Sequence, residues 1–242
     1  MIRITDTVKH LIIINVLFYL IAKFPFPPLE NIFALHFILN KDFHYYEFVS
    51  TMFMHSTTTI FHILFNMLAL WMFGSPLEQL WGRNKFLFFY FSAGIGASLI
   101  YTLVNYLQFN NAFNELIASG ATKTQILGLM DPSKIYQNQT LQKVNEIFNS
   151  SAIGASGAIY GVLVAFGMKF PNAKLALIFF PVPIAAKYFI PALIAMDLFS
   201  GMTGVSIFGS GNIAHFAHVG GALIGFLIAW YWKNNQFKRW DR

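Results

Sequence analysis

The chain has 242 residues, of which 56% are hydrophobic and 18% aromatic, while only 11% carry a charge. An ordinary soluble domain is about 25% charged, so this composition excludes a protein whose whole surface faces water. Zero cysteines exclude disulfides, thiolate metal ligands and a cysteine nucleophile; the net charge of +6 comes from residues clustered beside apolar stretches, which excludes a nucleic-acid-binding stripe and a nucleic-acid partner.

Six apolar stretches approach the length of about 20 residues that crosses a bilayer. The sequence therefore predicts an all-α polytopic membrane protein, with six transmembrane helices in a single domain over residues 1–242 and a lipid bilayer as its surroundings. The first stretch resembles a signal-peptide core in length, but no small-residue cleavage site precedes the segment PFPP, so it is predicted to be a span. The six spans are predicted at residues 8–23, 58–76, 86–107, 153–170, 184–203 and 212–232.

Two segments between the spans need separate interpretation. Residues 108–150 are too polar for lipid and are predicted to form an outer loop, with one or two short amphipathic helices over the outer mouth. A plain solvated insertion is favoured over a cap or a docking role. The fifth span contains a lysine, and starting it near Ile184 puts Lys187 in the first turn, where its side chain reaches the headgroups. Residues 175–183 are then an interfacial connector.

An even number of spans places both termini on one side of the membrane. More lysines and arginines flank the spans on the terminal side than on the other, which predicts cytoplasmic termini. An aromatic belt at the cytoplasmic ends agrees with this orientation. No organelle-targeting extension precedes the first span, and a bacterial inner membrane is the expected location. The belt residues are Trp81, Trp230, Trp232 and Trp240.

Spans two, four and six run in the same direction, and each carries its unusual polar residues early. At a rise of about 1.5 Å per residue these side chains lie at similar depth, in the outer third of the membrane. Polar groups in lipid are costly and usually face the bundle interior or a cavity, so a site that opens to the outer side is predicted. The residues are His55, His62, Asn66, Ser156, His215 and His218.

Two interpretations of Ser156 compete, because it lies among small residues in the stretch GASG. Glycines spaced four apart predict close helix packing, and spans four and six each carry such a pair. The same approach would bring His218 within the roughly 2.6–3.2 Å that a nucleophile–base pair needs. His215 is interpreted as an interhelical hydrogen-bonding residue. The glycine pairs are Gly157 with Gly161, and Gly221 with Gly225.

A serine nucleophile needs a base and donors for the developing oxyanion. Imidazole suits the first role, and the N–H of Ser156 at a helix start suits the second. His62 and Asn66 are one turn apart on one face, so both could aim donors at the same point. Nothing in the sequence ties Asp197 to His218, so no triad is predicted, and Tyr160 is expected to hold the imidazole ring by stacking.

These residues resemble three motifs of one family, the rhomboid intramembrane serine proteases. The stretch from Gly154 to Gly157, with Tyr160, resembles their G-x-S-G motif. The stretch His62-Ile-Leu-Phe-Asn66 resembles their H-x-x-x-N motif, and AHVGGALIG, which begins at Ala217, is similar to their sixth-helix pattern A-H-x-G-G-x-x-x-G. The motifs occur in the family's order, and the resemblance covers nearly the whole chain.

The resemblance implies a rhomboid-like bundle that cuts transmembrane protein substrates near the outer surface, with span five as a lateral gate. Ser156 would be the nucleophile and His218 the general base. An oxyanion hole would be formed by His62, Asn66 and the Ser156 amide. No cofactor and no metal are implied. Supporting positions are Gly154, Gly157, Tyr160, Gly221, Gly225 and His215; Pro191 and Gly201 suit a mobile fifth span.

One departure from the family and two alternatives stay open. The first loop of the family often carries a Trp-Arg pair, where this chain has Tyr46-Glu47, and no function is assigned to it. A non-catalytic relative that escorts membrane clients would usually lack the serine or the histidine. A metal-dependent protein would need more than histidines, and neither a His-Glu-x-x-His motif nor a carboxylate on the relevant faces is found. The histidines in question are His55, His62, His215 and His218.

Overall fold

The structure is a computed structural model that describes residues 3–24, 28–177, 180–205 and 214–236. It is mostly helical, with a 3-10 turn at Thr51–Phe53 and a wide π turn at Leu70–Gly74. The helices are α1 (Asp6–Ala22), α2 (Leu29–Phe33), α3 (Glu47–Ser50), α4 (Ile60–Ala69), α5 (Ser75–Trp81), α6 (Arg83–Ala118), α7 (Lys123–Gly128), α8 (Gln139–Phe148), α9 (Ser156–Lys169), α10 (Ala186–Thr203) and α11 (His215–Gln236).

Two small antiparallel ladders depart from the all-α prediction. Strand β1 (Leu35–His36) pairs with β2 (Ser151–Ala152), and β3 (Lys174–Leu177) pairs with β4 (Phe180–Ala185). The second ladder replaces the predicted connector at residues 175–183. Two prolines in β4 cannot donate to a helical or central-strand ladder, but a two-stranded ladder leaves one edge unpaired and tolerates them.

Three helices differ in length from the predicted spans. The second does not end at Pro76: the π turn leads into α5, which carries this proline in its first turn, where no intrahelical N–H bond is needed. Helix α6 continues eleven residues past the predicted end at 107, to Ala118. Helix α9 begins at Ser156, three residues after the predicted start. The predicted start of the last span, at residue 212, lies outside the described residues.

In the described part of the chain, two helices are long and apolar enough to cross a membrane: Ile60–Trp81, which runs through the π turn, and Arg83–Ala118. Ser156–Lys169 is apolar but shorter. The count of six spans therefore stays a prediction. At about 1.5 Å per residue, the 36 residues of α6 reach well beyond a hydrocarbon core of about 30 Å.

The core of the bundle is the contact of α9 with α6 on one side and α11 on the other. A Cβ added to Gly157 would lie 2.6 Å from the Cβ of Ala97, and one added to Gly221 would collide with the carbonyl of Gly157. One turn further along, Gly161 and Gly225 touch in the same way. The predicted close packing of these glycine pairs is confirmed, and the two helices run parallel because both pairs match in order.

The outer end of α6 carries a second, smaller core together with α7 and α8. Val144 of α8 and Ile126 of α7 are fully buried against it. The predicted short helices are present, but the interpretation as a plain solvated insertion is wrong, because their apolar faces are packed. The other buried members are Phe37, Phe109, Ala112, Leu116 and Ile147.

The first loop is held by the pair Tyr46-Glu47. The Glu47 side chain is 0% exposed and accepts hydrogen bonds from the backbone N–H groups of His36 (2.9 Å) and His44 (3.0 Å). Its Oε1 also lies 3.2 Å from His36 Nδ1, and the Tyr46 hydroxyl donates to the Ile32 carbonyl at 3.0 Å. Glu47 thus satisfies loop donors that would otherwise be buried without partners.

We expect Glu47→Gln to destabilise the folded protein by about 1–3 kcal/mol, because the amide NH₂ would face backbone N–H donors and leave one unpaired. The measurement is thermal unfolding of the purified protein in detergent. Glu146→Gln is the matched control, because that exposed glutamate accepts only from the neighbouring Gln142 side chain. Equal unfolding temperatures for the two variants would contradict the assignment.

Candidate active site

Ser156 is the first residue of α9, and the segment before it turns sharply. Gly154 has a φ of +128°, a conformation that side chains other than glycine rarely adopt. A Cβ there would lie 2.9 Å from His62 Nε2 and 3.6 Å from Ser156 Oγ. Gly154 therefore allows the turn and also leaves the space between His62 and Ser156 open.

The first loop fixes the position of this turn. The Gly154 N–H donates to the Thr51 carbonyl at 2.9 Å, and the Thr51 hydroxyl donates to the Ala152 carbonyl at 2.6 Å. The β1–β2 ladder pairs Leu35 with Ala152 beside it. Ala155, directly before the helix, is 0% exposed. The start of α9 is thus held from the first loop and from below by the core.

Ser156 and His218 are in direct contact. His218 Nε2 lies 2.8 Å from Ser156 Oγ, across the contact between α9 and α11. The ring of Tyr160, one turn along α9, stacks on the His218 ring with centroids 4.3 Å apart and an interplanar angle of 9°. The predicted proximity and the predicted stacking are both present, while the catalytic roles of these residues stay a prediction.

A carboxylate reaches the other side of the histidine ring. Asp197 lies on α10, is 8% exposed, and places its Oδ1 3.1 Å from His218 Nδ1 and 2.6 Å from His215 Nδ1. Its Oδ2 accepts a hydrogen bond from the Tyr160 hydroxyl. The expectation that no acid approaches His218 is therefore wrong. The interpretation of His215 as an interhelical hydrogen-bonding residue is confirmed.

The signal that could have found Asp197 is its place in an apolar stretch. An ionisable residue within a membrane span usually faces a partner or a functional cavity. What sequence reasoning lacked was the partner, because nothing local shows that α10 packs against the start of α11.

His62 is oriented by the backbone. Its Nδ1 accepts a hydrogen bond from the Ser56 N–H at 3.3 Å, so the neutral ring carries its proton on Nε2, which points toward Gly154 and Ser156. This tautomer follows from the hydrogen-bond network. The ring is therefore a donor on the side of the serine.

Asn66 has a more local partner than predicted. Its Nδ2 donates to the His62 carbonyl of its own helix at 2.7 Å. Because an amide NH₂ carries two hydrogens, one donor is left for another acceptor. The side chain is 8% exposed, and its Oδ1 has no partner among the described residues.

His55 lies behind His62, in the segment before α4. It is fully buried, and its ring contacts the His62 ring edge-on with centroids 5.1 Å apart. Burial, with a smaller contribution from His62, lowers the pKa of His55 to about 3. His55 is therefore neutral at physiological pH and packs against His62 without adding a charge.

A cavity of about 560 Å³ opens beside the Ser156–His218 pair. It lies between α10 and the Tyr160–His218 stack, and its walls are mainly apolar. The α10 side is formed by Tyr188, Phe189, Leu193 and Met196, with Asp197 at the inner end. An apolar side chain of a bound segment would fit this space.

Three residues have the chemistry to hold a metal ion. The ligand atoms of Asp197, His215 and His218 lie within 4.8 Å of one another. The statement that no carboxylate lies near these histidines is thus wrong, but the four-histidine set is not assembled: among the described residues, His55 and His62 do not join this group. The same ligand atoms are already hydrogen-bonded to each other, so we assign no metal to them.

The fold and the site together define a helical membrane protein in which a serine, a histidine and an aspartate from three helices meet. Residues 42–235 match the family model of the Rhomboid domain, and the chain belongs to the rhomboid family. The family expected from the three motifs is therefore confirmed.

Relatives come from mitochondria and from a bacterium. The chain is 30% identical over 170 residues to Rhomboid protein 1, mitochondrial, of Saccharomyces cerevisiae, and 32% identical over 184 residues to the Presenilin-associated rhomboid-like protein, mitochondrial, of Homo sapiens. It is 26% identical over 198 residues to Rhomboid protease AarA of Providencia stuartii.

The matched regions cover 70%, 74% and 76% of this chain, but only 37%, 37% and 55% of the respective relatives. The chain thus spans only part of the length of the relatives it matches. The mitochondrial names conflict with the expected bacterial inner membrane, and that expectation is withdrawn. Membership of the rhomboid family leaves a membrane protein without an assigned organelle.

Proposed function

We propose that the protein is an intramembrane serine protease that hydrolyses a peptide bond in or near the transmembrane segment of other membrane proteins. The observation that carries the proposal is the 2.8 Å contact between Ser156 Oγ and His218 Nε2 at the start of a buried helix. A serine alone among glycines would be explained by packing. A serine on an imidazole nitrogen has the arrangement of a nucleophile and its base.

In the proposed reaction, Ser156 Oγ attacks the carbonyl carbon of the scissile bond while its proton passes to His218 Nε2. The tetrahedral intermediate collapses as the same proton moves to the leaving amine, and an acyl-enzyme is left on Ser156. A water molecule then gives its proton to His218 and attacks the ester. This step releases the second product and restores the Ser156 hydroxyl.

Three donors would stabilise the oxyanion of the intermediate. The Ser156 N–H is in the first turn of α9, where N–H groups have no intrahelical partner and the helix dipole is positive. His62 Nε2–H points to the same region, and the second hydrogen of the Asn66 amide is the third donor. One such donor is typically worth about 10²–10³ in kcat.

The substrate would enter beside α10. This helix forms one wall of the cavity next to Ser156 and His218, and it contains Pro191, which removes one helical hydrogen bond and eases bending. Gly201 near its end carries no side chain and packs against Phe216. We further propose six spans with cytoplasmic termini and a site that opens to the outer side, consistent with helix starts that meet in one layer.

The test is labelling with a serine-directed fluorophosphonate, followed by mass-spectrometric mapping of the adduct in the purified, reconstituted protein. We expect a single adduct on Ser156, no labelling of Ser156→Ala, and unchanged labelling of Ser151→Ala. Ser151 is a suitable control because it is an exposed serine five residues upstream. Labelling that persists in Ser156→Ala would refute the proposal, and so would a protein that does not react at all.

A further inference from the structure

We propose that Asp197 is the third member of a Ser–His–Asp triad, a positioning residue that holds His218 in the tautomer that accepts the serine proton. This inference rests on the proposed protease function and adds a residue to it. None of the three sequence motifs includes Asp197, and it is carried by a helix that contributes neither the nucleophile nor the base.

The geometry puts one partner on each nitrogen of the His218 ring. Nδ1 lies 3.1 Å from Asp197 Oδ1, and Nε2 lies 2.8 Å from Ser156 Oγ. An ionised carboxylate has only acceptors, so the bond to Asp197 requires the proton on Nδ1. Nε2 is then unprotonated and accepts from the Ser156 hydroxyl, as a general base must before the reaction.

Asp197 is itself held in place by residues of two other helices. The Tyr160 hydroxyl of α9 donates to Oδ2, and His215 Nδ1 of α11 lies 2.6 Å from Oδ1. A nearly buried carboxylate without partners would be costly, and these donors offset that cost. Tyr160 also stacks on His218, so one tyrosine fixes both the ring plane and the acid.

The carboxylate also acts on the charged state of the base. When His218 takes the proton of Ser156 it becomes an imidazolium, whose charge Asp197 would stabilise at hydrogen-bond distance. The acid of a Ser–His–Asp triad has this role without accepting the proton itself. Because Asp197 lies on α10, the triad is complete only while α10 packs against α9 and α11.

The first test is Asp197→Asn in the full chain, assayed on a transmembrane substrate that the unaltered protein cleaves. The amide NH₂ would donate to His218 Nδ1 and force the proton onto Nε2, where it blocks the base. We expect kcat to fall by about 10²–10⁴, the upper value being that of the same change in a known triad. KM and the unfolding temperature should change little, because shape and packing are kept.

The second test uses Asp197→Ala, which leaves a hole next to the cavity. We expect sodium formate to restore part of kcat, because a small carboxylate would replace the missing one, and sodium chloride at equal ionic strength to restore none. Glu78→Gln is the control for losing a buried carboxylate: Glu78 accepts from the N–H groups of Thr7 and Val8, both at 3.0 Å, at the start of α1. It should lower the unfolding temperature and leave kcat within about threefold of the unaltered protein.

The outcomes separate this inference from the proposed function. An unaltered protein that cleaves no transmembrane substrate and reacts with no phosphonate would remove the protease function itself. An active protein whose Asp197→Asn variant keeps kcat within threefold would overturn the triad alone. If neither variant folds, or if kcat loss follows instability and formate restores nothing, Asp197 is structural and the inference is equally overturned.

Discussion

Ser156→Ala is expected to abolish cleavage of transmembrane substrates, with kcat lower by about 10⁴–10⁶, the range found when a serine nucleophile is removed from a protease. The change deletes one oxygen atom, and that oxygen is the atom in contact with His218 Nε2. Ser156 lies in the first turn of α9 and its side chain does not cap the helix, so the fold loses little.

The measurement is the turnover of a single-pass transmembrane protein, selected because the unaltered chain cleaves it in reconstituted vesicles. His218→Gln should give a loss of similar size, and the double variant should be no worse than either single one, because the two residues act as a unit. Ser151→Ala is again the control. Retention of more than a tenth of the activity in Ser156→Ala would mean that another residue is the nucleophile.

The second large effect is expected at Gly221. Alanine normally favours a helix interior over glycine by about 1 kcal/mol, so a stabilising change would be the default. Here the new Cβ would overlap the carbonyl of Gly157, which belongs to a buried helix backbone and has no rotamer to change. Overpacking of this kind typically costs about 1–3 kcal/mol, and we expect at least the upper value because backbone must move.

Activity should fall together with stability in Gly221→Ala. The contact between Gly157 and Gly221 lies one residue past Ser156 and three past His218, so separating α9 from α11 there also separates the two side chains. Unfolding temperature and phosphonate-labelling rate, measured on the same sample, report the two effects. Gly128→Ala is the matched control, because nothing lies within 4 Å of a Cβ at the end of α7, and it should be neutral or slightly stabilising.

If Gly221→Ala unfolds at the same temperature as Gly128→Ala, the tight contact of α9 with α11 is wrong. A variant that is less stable but labels at the unaltered rate would show that the Ser156–His218 distance does not depend on this contact.

The sequence was informative where a residue's neighbours lie on its own helix or on one with a matching motif. Glycines four apart form a groove whatever the rest of the fold does, so the approach of α9 to α11 was predictable from Gly157, Gly161, Gly221 and Gly225. Depth follows from helical rise, which placed His62, Ser156 and His218 in one layer. The three motifs then identified the rhomboid family, which the match over residues 42–235 confirms.

Helix ends were less predictable because they depend on packing beyond the helix. Polarity at residues 108–118 suggested that the third span had ended, but Phe109, Ala112 and Leu116 recur on one face, and α8 covers that face. Polar residues on the other face then cost nothing, because this part of α6 lies beyond the hydrocarbon core. The Pro76 position was misjudged for a related reason, since a wide π turn precedes it.

Two carboxylates mark what the tertiary structure alone decided. Glu47 stands where the family often has arginine, and only the folded loop shows that it accepts from the backbone of His36 and His44. Asp197 stands in an apolar stretch, 21 residues before His218, and becomes its partner because α10 packs against α11. The sequence determines helices, depths and grooves through local periodicity, whereas the partner of a buried charge depends on long-range packing, which no local pattern encodes.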